Sequence, residues 1–325
     1  LSALLEIGAL SDNGERISEK GIEMSKCSLH PRLALALIEG RDRDCLPAIA
    51  LTFAMLENRG PLAGNRIASD YADRKWCEHR EGDATSDLSV LLNAYVYAKA
   101  KHFSTDKCRD EGIHGLRCME AEKIATQMCR QIGWGEYSFK FPENDQYLKV
   151  LLETFPENLC LLKSRGTNLY ETIQGSRVHL SRNSVISGAE WVLPLRIIEK
   201  SLDGRVALQM EWVSEIREDW IREVFGHRIS EEKEVFLDLE TRKVICRKYS
   251  KISDQKFSIK ESFDISEEEV SIAYANALAC GDLVLKNWDA KVVRFLSRIE
   301  FLHNNFPEYE IVPLDQESIN LVYHE

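Results

Sequence analysis

Residues 159–213 read LCLLKSRGTNLYETIQGSRVHLSRNSVISGAEWVLPLRIIEKSLDGRVALQMEWV, and they decide the fold class. Segments readable as short strands fall at 159–162, 168–173, 178–186, 191–198 and 207–213. The breaks between them are Arg165-Gly166, Gly175-Ser176, Ser187-Gly188 and Asp203-Gly204. Short strands punctuated by glycine turns predict about five strands in some sixty residues, which suits a small closed barrel of the oligonucleotide-binding (OB) kind. Trp191, followed by Val192, Leu193 and Leu195, reads as a core residue rather than an exposed stacking platform.

Upstream of this stretch the period lengthens to that of helices. Pro31 fits a first helical position ahead of Leu33, Leu37 and Ile38, and Pro47 opens a second segment carrying Ala50, Leu51, Ala54 and Met55. Asp87 precedes a helix with Leu88, Leu91, Leu92, Tyr95 and Val96 at helical spacing, and 116–132 forms another. Residues 70–87 carry little periodic signal apart from Tyr71 and Trp76. Before Pro31, short helices around the 11–14 turn and Gly21 suit the distal half of a winged-helix unit. Downstream, 214–225 reads as a connecting helix, followed by strands at 233–239, 243–247 and 256–260. Ser266 and Glu269 have capping-box spacing ahead of 270–279, and a last helix runs from Asn287. The expectation is a multidomain α+β chain: a winged-helix remnant at 1–29, a helical domain at 30–135, a barrel at 145–214 and a mixed α/β region at 215–325.

The chain has 325 residues, enough for two to four domains, with 44% hydrophobic and 29% charged residues. No run approaches the eighteen apolar residues that span a bilayer, and the first residues lack the basic flank of a secretory signal. Nine cysteines, an odd number with no C-x-x-C pair, fit a reducing cytoplasm better than a disulfide framework or a metal site. The chain lacks an initiator Met and opens mid-pattern, as an excised fragment would. The net charge of -11 argues against nucleic acid only until the chain is divided. Residues 151–210 carry 7 basic and 6 acidic side chains, whereas 231–325 carry 12 and 19. A local positive surface is therefore open to the barrel region.

Catalytic signatures are missing. Gly never precedes Lys, so a phosphate loop ending in G-K-S/T cannot form, and there is no H-E-x-x-H pair or G-x-S-x-G elbow. His30 reads as a cap, His114 as an exposed loop residue, and Asp87, Glu120 and Glu122 as solvated or capping carboxylates. The barrel cations make a stronger case. Lys163 and Arg165 flank a turn, Arg177 and Arg182 lie on or beside the next strand, and Arg196 follows Trp191. OB-like sheets hold single strands with such cations, although arginines at strand ends often only solvate an edge.

Several ordered segments resemble one family. Leu4-Leu5-Glu6-Ile7-Gly8-Ala9-Leu10, Ile17-Ser18-Glu19-Lys20-Gly21 and Leu29-His30-Pro31-Arg32-Leu33-Ala34 are followed by Asp87-Leu88-Ser89-Val90-Leu91-Leu92-Asn93-Ala94-Tyr95. Phe155-Pro156, Val178-His179-Leu180, Glu190-Trp191-Val192 and Phe301-Leu302 to Phe306-Pro307 complete the series. Together they resemble the C-terminal part of bacterial HrpB-type DEAH-box helicases: the end of the winged helix, the ratchet domain, the OB-like domain and the terminal domain. Ala125 stands where that pattern commonly has Arg, and Glu157-Asn158-Leu159-Cys160 replaces a basic stretch.

The resemblance implies a non-catalytic accessory region that guides single-stranded RNA or DNA along two RecA-like motor domains. Those domains would bind ATP and Mg2+, and this region would need no cofactor of its own. A regulatory protein is a further implied partner; a membrane is not. Arg32, Lys163, Arg165, Arg177 and Arg182 are the contact candidates. The alternative is a protein-interaction scaffold whose acidic last third docks to the motor or to a basic partner.

Overall fold

The apolar stretch LPAIALTFAM becomes the buried centre of a helical region in the computed structural model of the protein, every one of its ten residues being buried. The structure describes all residues except 1–3, 6, 12, 14–15, 28, 63–84, 183, 203–204, 281, 284–289 and 310–325. The polar interval with Tyr71 and Trp76, and the Asn287 helix start, thus lie largely outside the described residues. Two compact units are present, Leu1–His227 and Arg228–Glu325.

The first unit begins with α1 (Glu19–Ser25), capped by the Ser18 hydroxyl, which accepts from the Gly21 N–H at 2.9 Å. Gly21 packs against the chain at Ala9 so closely that a Cβ would lie 2.0 Å from the Ala9 carbonyl oxygen. Next come α2 (Pro31–Asp42), α3 (Leu46–Glu57), α4 (Asp87–Ala100), α5 (Thr105–Asp110), α6 (Gly115–Gln131) and α7 (Asn144–Thr154). Helix α3 packs against α2, α4 and α6, and α7 packs against α2. The buried Tyr147 and Thr52 hydroxyls, 2.6 Å apart, tie α7 to α3. Two of these helices go beyond the sequence reading. α5 turns only Cys108 inward, which leaves no periodic stripe. α7 hides its apolar face behind a polar first turn and the Phe141-Pro142 break.

The barrel starts at Cys160. Strands β1 (Cys160–Leu162), β2 (Leu169–Thr172), β3 (Arg177–Leu180), β4 (Trp191–Leu202) and β5 (Arg205–Glu215) close in the order β1-β2-β3-β5-β4. The β3–β5 pair is parallel and the others antiparallel, which is the OB arrangement. Cys160, Tyr170, Val178, Val192, Met210 and Val213 fill the interior, and the Tyr170 hydroxyl donates to the Ala189 carbonyl at 2.9 Å. Trp191 is buried, as its apolar neighbours imply. β3 ends at Leu180 instead of continuing to Ile186, because the Ser184 N–H folds back onto the Ser181 carbonyl at 3.1 Å. Conversely β4 and β5 run longer than their apolar cores, pairing from Val192–Glu215 out to Leu202–Arg205. Helix α8 (Glu218–Phe225) follows, burying Trp220, Ile221 and Phe225.

Barrel and helices meet at the start of α4. Ser86 bridges to Ser214 of β5, their hydroxyls 2.6 Å apart, and the Glu215 N–H donates to the Thr85 carbonyl at 2.8 Å. Trp212, at φ 59°, lays its indole over Gly60, where a Cβ would come within 3.0 Å of the ring.

The second unit is an antiparallel meander, β6 (Ile229–Asp238), β7 (Lys243–Ile252) and β8 (Gln255–Ser262), with α9 (Glu267–Ala279) packed on β6 and β7, and α10 (Ala290–Asn305) beyond. β6 and β7 pair in unbroken register, whereas β8 carries an irregularity opposite Tyr249 where Ser258 takes φ 52°. The expected capping box is present: Ser266 accepts from the Glu269 N–H, and the Glu269 carboxylate accepts from the Ser266 N–H. The fold is mixed α+β, as the patterning predicts.

Candidate nucleic-acid interface

The outward face of the barrel is set by strand alternation. With Tyr170 and Val178 pointing into the core, Leu169, Glu171, Arg177 and His179 project outward, and the register sets Leu169 opposite His179 and Glu171 opposite Arg177. Lys163, one residue beyond β1, reaches back across β2 to pair with Glu171 at 2.7 Å. Arg165 lies exposed in the β1–β2 connection, and Arg182 lies exposed just past β3. Four of the five contact candidates thus come together around the β1–β2 connection and the β2–β3 surface, the region through which OB barrels hold oligonucleotides. Arg165, Arg177 and Arg182 form no ion pair with any described residue, so their charge is available to an anion. Two members of this surface were not singled out in the sequence. His179 sits half-buried between the cations, and Glu171 offsets part of their charge. The alternation of β2 and β3 is the signal that finds both.

Arg32 stands apart from this surface. It follows Pro31 at the start of α2, donates to the Thr154 carbonyl at 2.7 Å and faces the Glu157 carboxylate at 3.2 Å, leaving its side chain 14% exposed. It clasps α2 to the segment that enters the barrel.

The remaining polar candidates have local partners. His30 and His114 are both N-caps, accepting at Nδ1 from the N–H groups of Arg32 and Arg117 at 3.4 Å. Glu120 accepts from Asn58, and Glu122 pairs with Lys99 at 2.6 Å. Asp87 is 2% exposed, which excludes a solvated role. Its Oδ1 accepts from the Val185 N–H and its Oδ2 from the Val213 N–H, both at 2.9 Å, while the Ser184 hydroxyl lies 3.0 Å from each oxygen. Burial pushes its carboxyl up to about 6, outweighing the lowering by those donors. Burial also pushes the Cys45 thiol up to about 11 and those of Cys118, Cys129 and Cys160 up to about 12, holding them as neutral core residues rather than nucleophiles. No described helix is long and apolar enough to cross a membrane.

Comparison with solved structures aligns 99% of the chain with the crystal structure of E. coli DExH-box NTPase HrpB, at a TM-score of 0.52 and 17% identity. The chain has the HrpB fold. A second crystal structure, of Escherichia coli DEAH/RHA helicase HrpB, gives a TM-score of 0.51 and 18% identity over the same share. In both, the chain covers 34% of HrpB's length, so it spans about a third of that protein. The resemblance to an HrpB-type region drawn from the ordered motifs therefore holds at the level of the fold. Among curated proteins, the human and mouse ATP-dependent RNA helicase homolog DQX1 are 28% and 29% identical over 127 residues, 38% of this chain and 16% of each relative. No family model matches the chain.

Proposed function

We propose that this chain is the strand-guiding portion of a DEAH/RHA-type ATP-dependent helicase, holding single-stranded RNA or DNA through its phosphates while motor domains move it. The observation that carries this reading is the cluster of Lys163, Arg165, Arg177 and Arg182 on the β1–β2–β3 surface of an OB barrel within an HrpB fold. The outward side chains of β2 and β3 include no Phe, Tyr or Trp, and the His179 imidazole is the one ring there on which a base could stack. Affinity would thus come mainly from cation–phosphate contacts and counterion release, making it salt-dependent and weakly selective for sequence. Arg32 would have to leave Glu157 to join such a surface.

The chain's own residues cannot build a phosphate loop, since no Gly-Lys pair exists. ATP and Mg2+ would be held by RecA-like motor domains corresponding to the rest of an HrpB-length protein, working in the cytoplasm. Within that division of labour this region binds and orients the strand, and the motor supplies the free energy.

Fluorescence anisotropy of labelled single-stranded RNA and DNA, titrated against salt, tests the reading with an Arg165→Ala/Arg177→Ala/Arg182→Ala triple variant. Wild type should bind at low salt, and the triple variant should lose about two units of log–log salt slope, at ~0.7 per phosphate contact on a single strand. A folded wild type that binds neither polymer at low salt overturns it. The competing scaffold reading draws on the acidity of residues 231–325 and expects residues 228–325 alone to bind a basic partner, with the triple variant indifferent.

A further inference from the structure

Asp87 is too deeply buried to touch a nucleic acid, yet it is linked by a short chain of hydrogen bonds to one of the residues proposed to do so. It is the first residue of α4. Through Oδ1 it holds the Val185 N–H, through Oδ2 the Val213 N–H, and between the two oxygens lies the Ser184 hydroxyl. That hydroxyl oxygen also accepts from the Ile186 N–H at 3.2 Å. The Ser184 N–H in turn closes a turn onto the Ser181 carbonyl at 3.1 Å, and Arg182 sits exposed at the corner of this turn. Ser181 is buried, and the Leu180 N–H before it is fixed to the Asn168 carbonyl at 2.9 Å. Arg182 is thus flanked on one side by Leu180, fixed to Asn168, and on the other by Ser184, which is held to both Ser181 and the Asp87 carboxylate.

We infer that Asp87 is a positioning residue that sets where Arg182 stands relative to helix α4, so that this barrel contact moves with the helical region as one body. Displacement of the first turn of α4 would then be passed to Arg182 through Asp87 and Ser184. This rests on the proposed role of Arg182 as a phosphate contact. Alternation and helical periodicity do not reveal the link, because the partners lie 97 and 98 residues apart in sequence.

Two variants of the full chain test it. Asp87→Asn keeps the shape but sets an amide N–H2 against a backbone N–H; Ser184→Ala keeps the carboxylate and both backbone bonds and removes the bridging hydroxyl. Hydrogen exchange of 181–189 reads the link without any nucleic acid, and both variants should exchange faster there than wild type. Single-strand binding then reads its purpose. Asp87→Asn and Arg182→Ala should each lower the salt slope by about 0.7, and the double variant by the same 0.7, whereas Asp87→Asn with Arg165→Ala should lose both contributions. Unchanged exchange in both variants overturns the link. Faster exchange with fully additive binding losses overturns the positioning role while leaving the proposed function standing. Arg182→Ala without effect on binding, with Arg165→Ala effective, overturns the inference through Arg182 itself.

Discussion

A carboxylate buried to 2% exposure is tolerated when enough donors point at it, and Asp87 has the Val185 and Val213 N–H groups and the Ser184 hydroxyl. Asp87→Ala strands those groups, so a loss on the order of 3 kcal/mol is expected in urea unfolding. The effect of pH on this residue has a definite sign. Its carboxyl is raised from 3.8 to about 6 by burial, so the folded protein keeps a proton that the unfolded chain has released. The contribution of this group to stability is therefore greatest below about pH 4, declines as pH rises to about 6, and is flat above. Comparing wild type with Asp87→Asn at about pH 4.5 and about pH 7 isolates it: the wild type should lose stability relative to the variant across that interval. On the barrel face, Glu171 neutralises Lys163. Glu171→Gln should tighten single-strand binding roughly threefold, ~0.6 kcal/mol, the scale of an exposed ion pair. A weaker or unchanged affinity by anisotropy would count against the face.

Helices and strands followed their local rules wherever those rules were complete. The buried run of α3, the Ser266–Glu269 capping box and the antiparallel β6–β7 pair each fall where sequence patterning puts them. Ser266→Ala should cost α9 about 1 kcal/mol, measurable as a lower melting temperature of the second unit. Where an element departs from its pattern, a contact from elsewhere is the cause. β3 stops at Leu180 although the strand reading runs on to Ile186, because the polar Ser181-Arg182-Asn183-Ser184 stretch interrupts it and Ser184 and Val185 are recruited by Asp87. Gly21 inside α1 is required by the Ala9 carbonyl, not by the helix. Gly21→Ala should therefore destabilise by roughly 2–4 kcal/mol in urea unfolding instead of giving the small gain of an ordinary helical Gly→Ala change.

At the scale of the whole molecule, the division at His227/Arg228 gives two units with separate cores, Leu237, Cys246, Tyr249, Ile252 and Phe257 among the residues of the second. Residues 1–227 expressed alone should unfold cooperatively and retain the single-strand binding of the full chain, since the proposed contacts all lie within them. The α+β class, the OB-like barrel, the run of helices and the absence of a phosphate loop are legible in the sequence, because periodicity, turn glycines and missing motifs are local properties. Tertiary structure alone decides that Lys163 pairs with Glu171 on the strand opposite Arg177, that Arg32 turns inward to Thr154 and Glu157, and that Asp87 joins α4 to the barrel. Those outcomes depend on hydrogen bonds and ion pairs between segments, several of them more than ninety residues apart, whose energies exist only once the chain has closed.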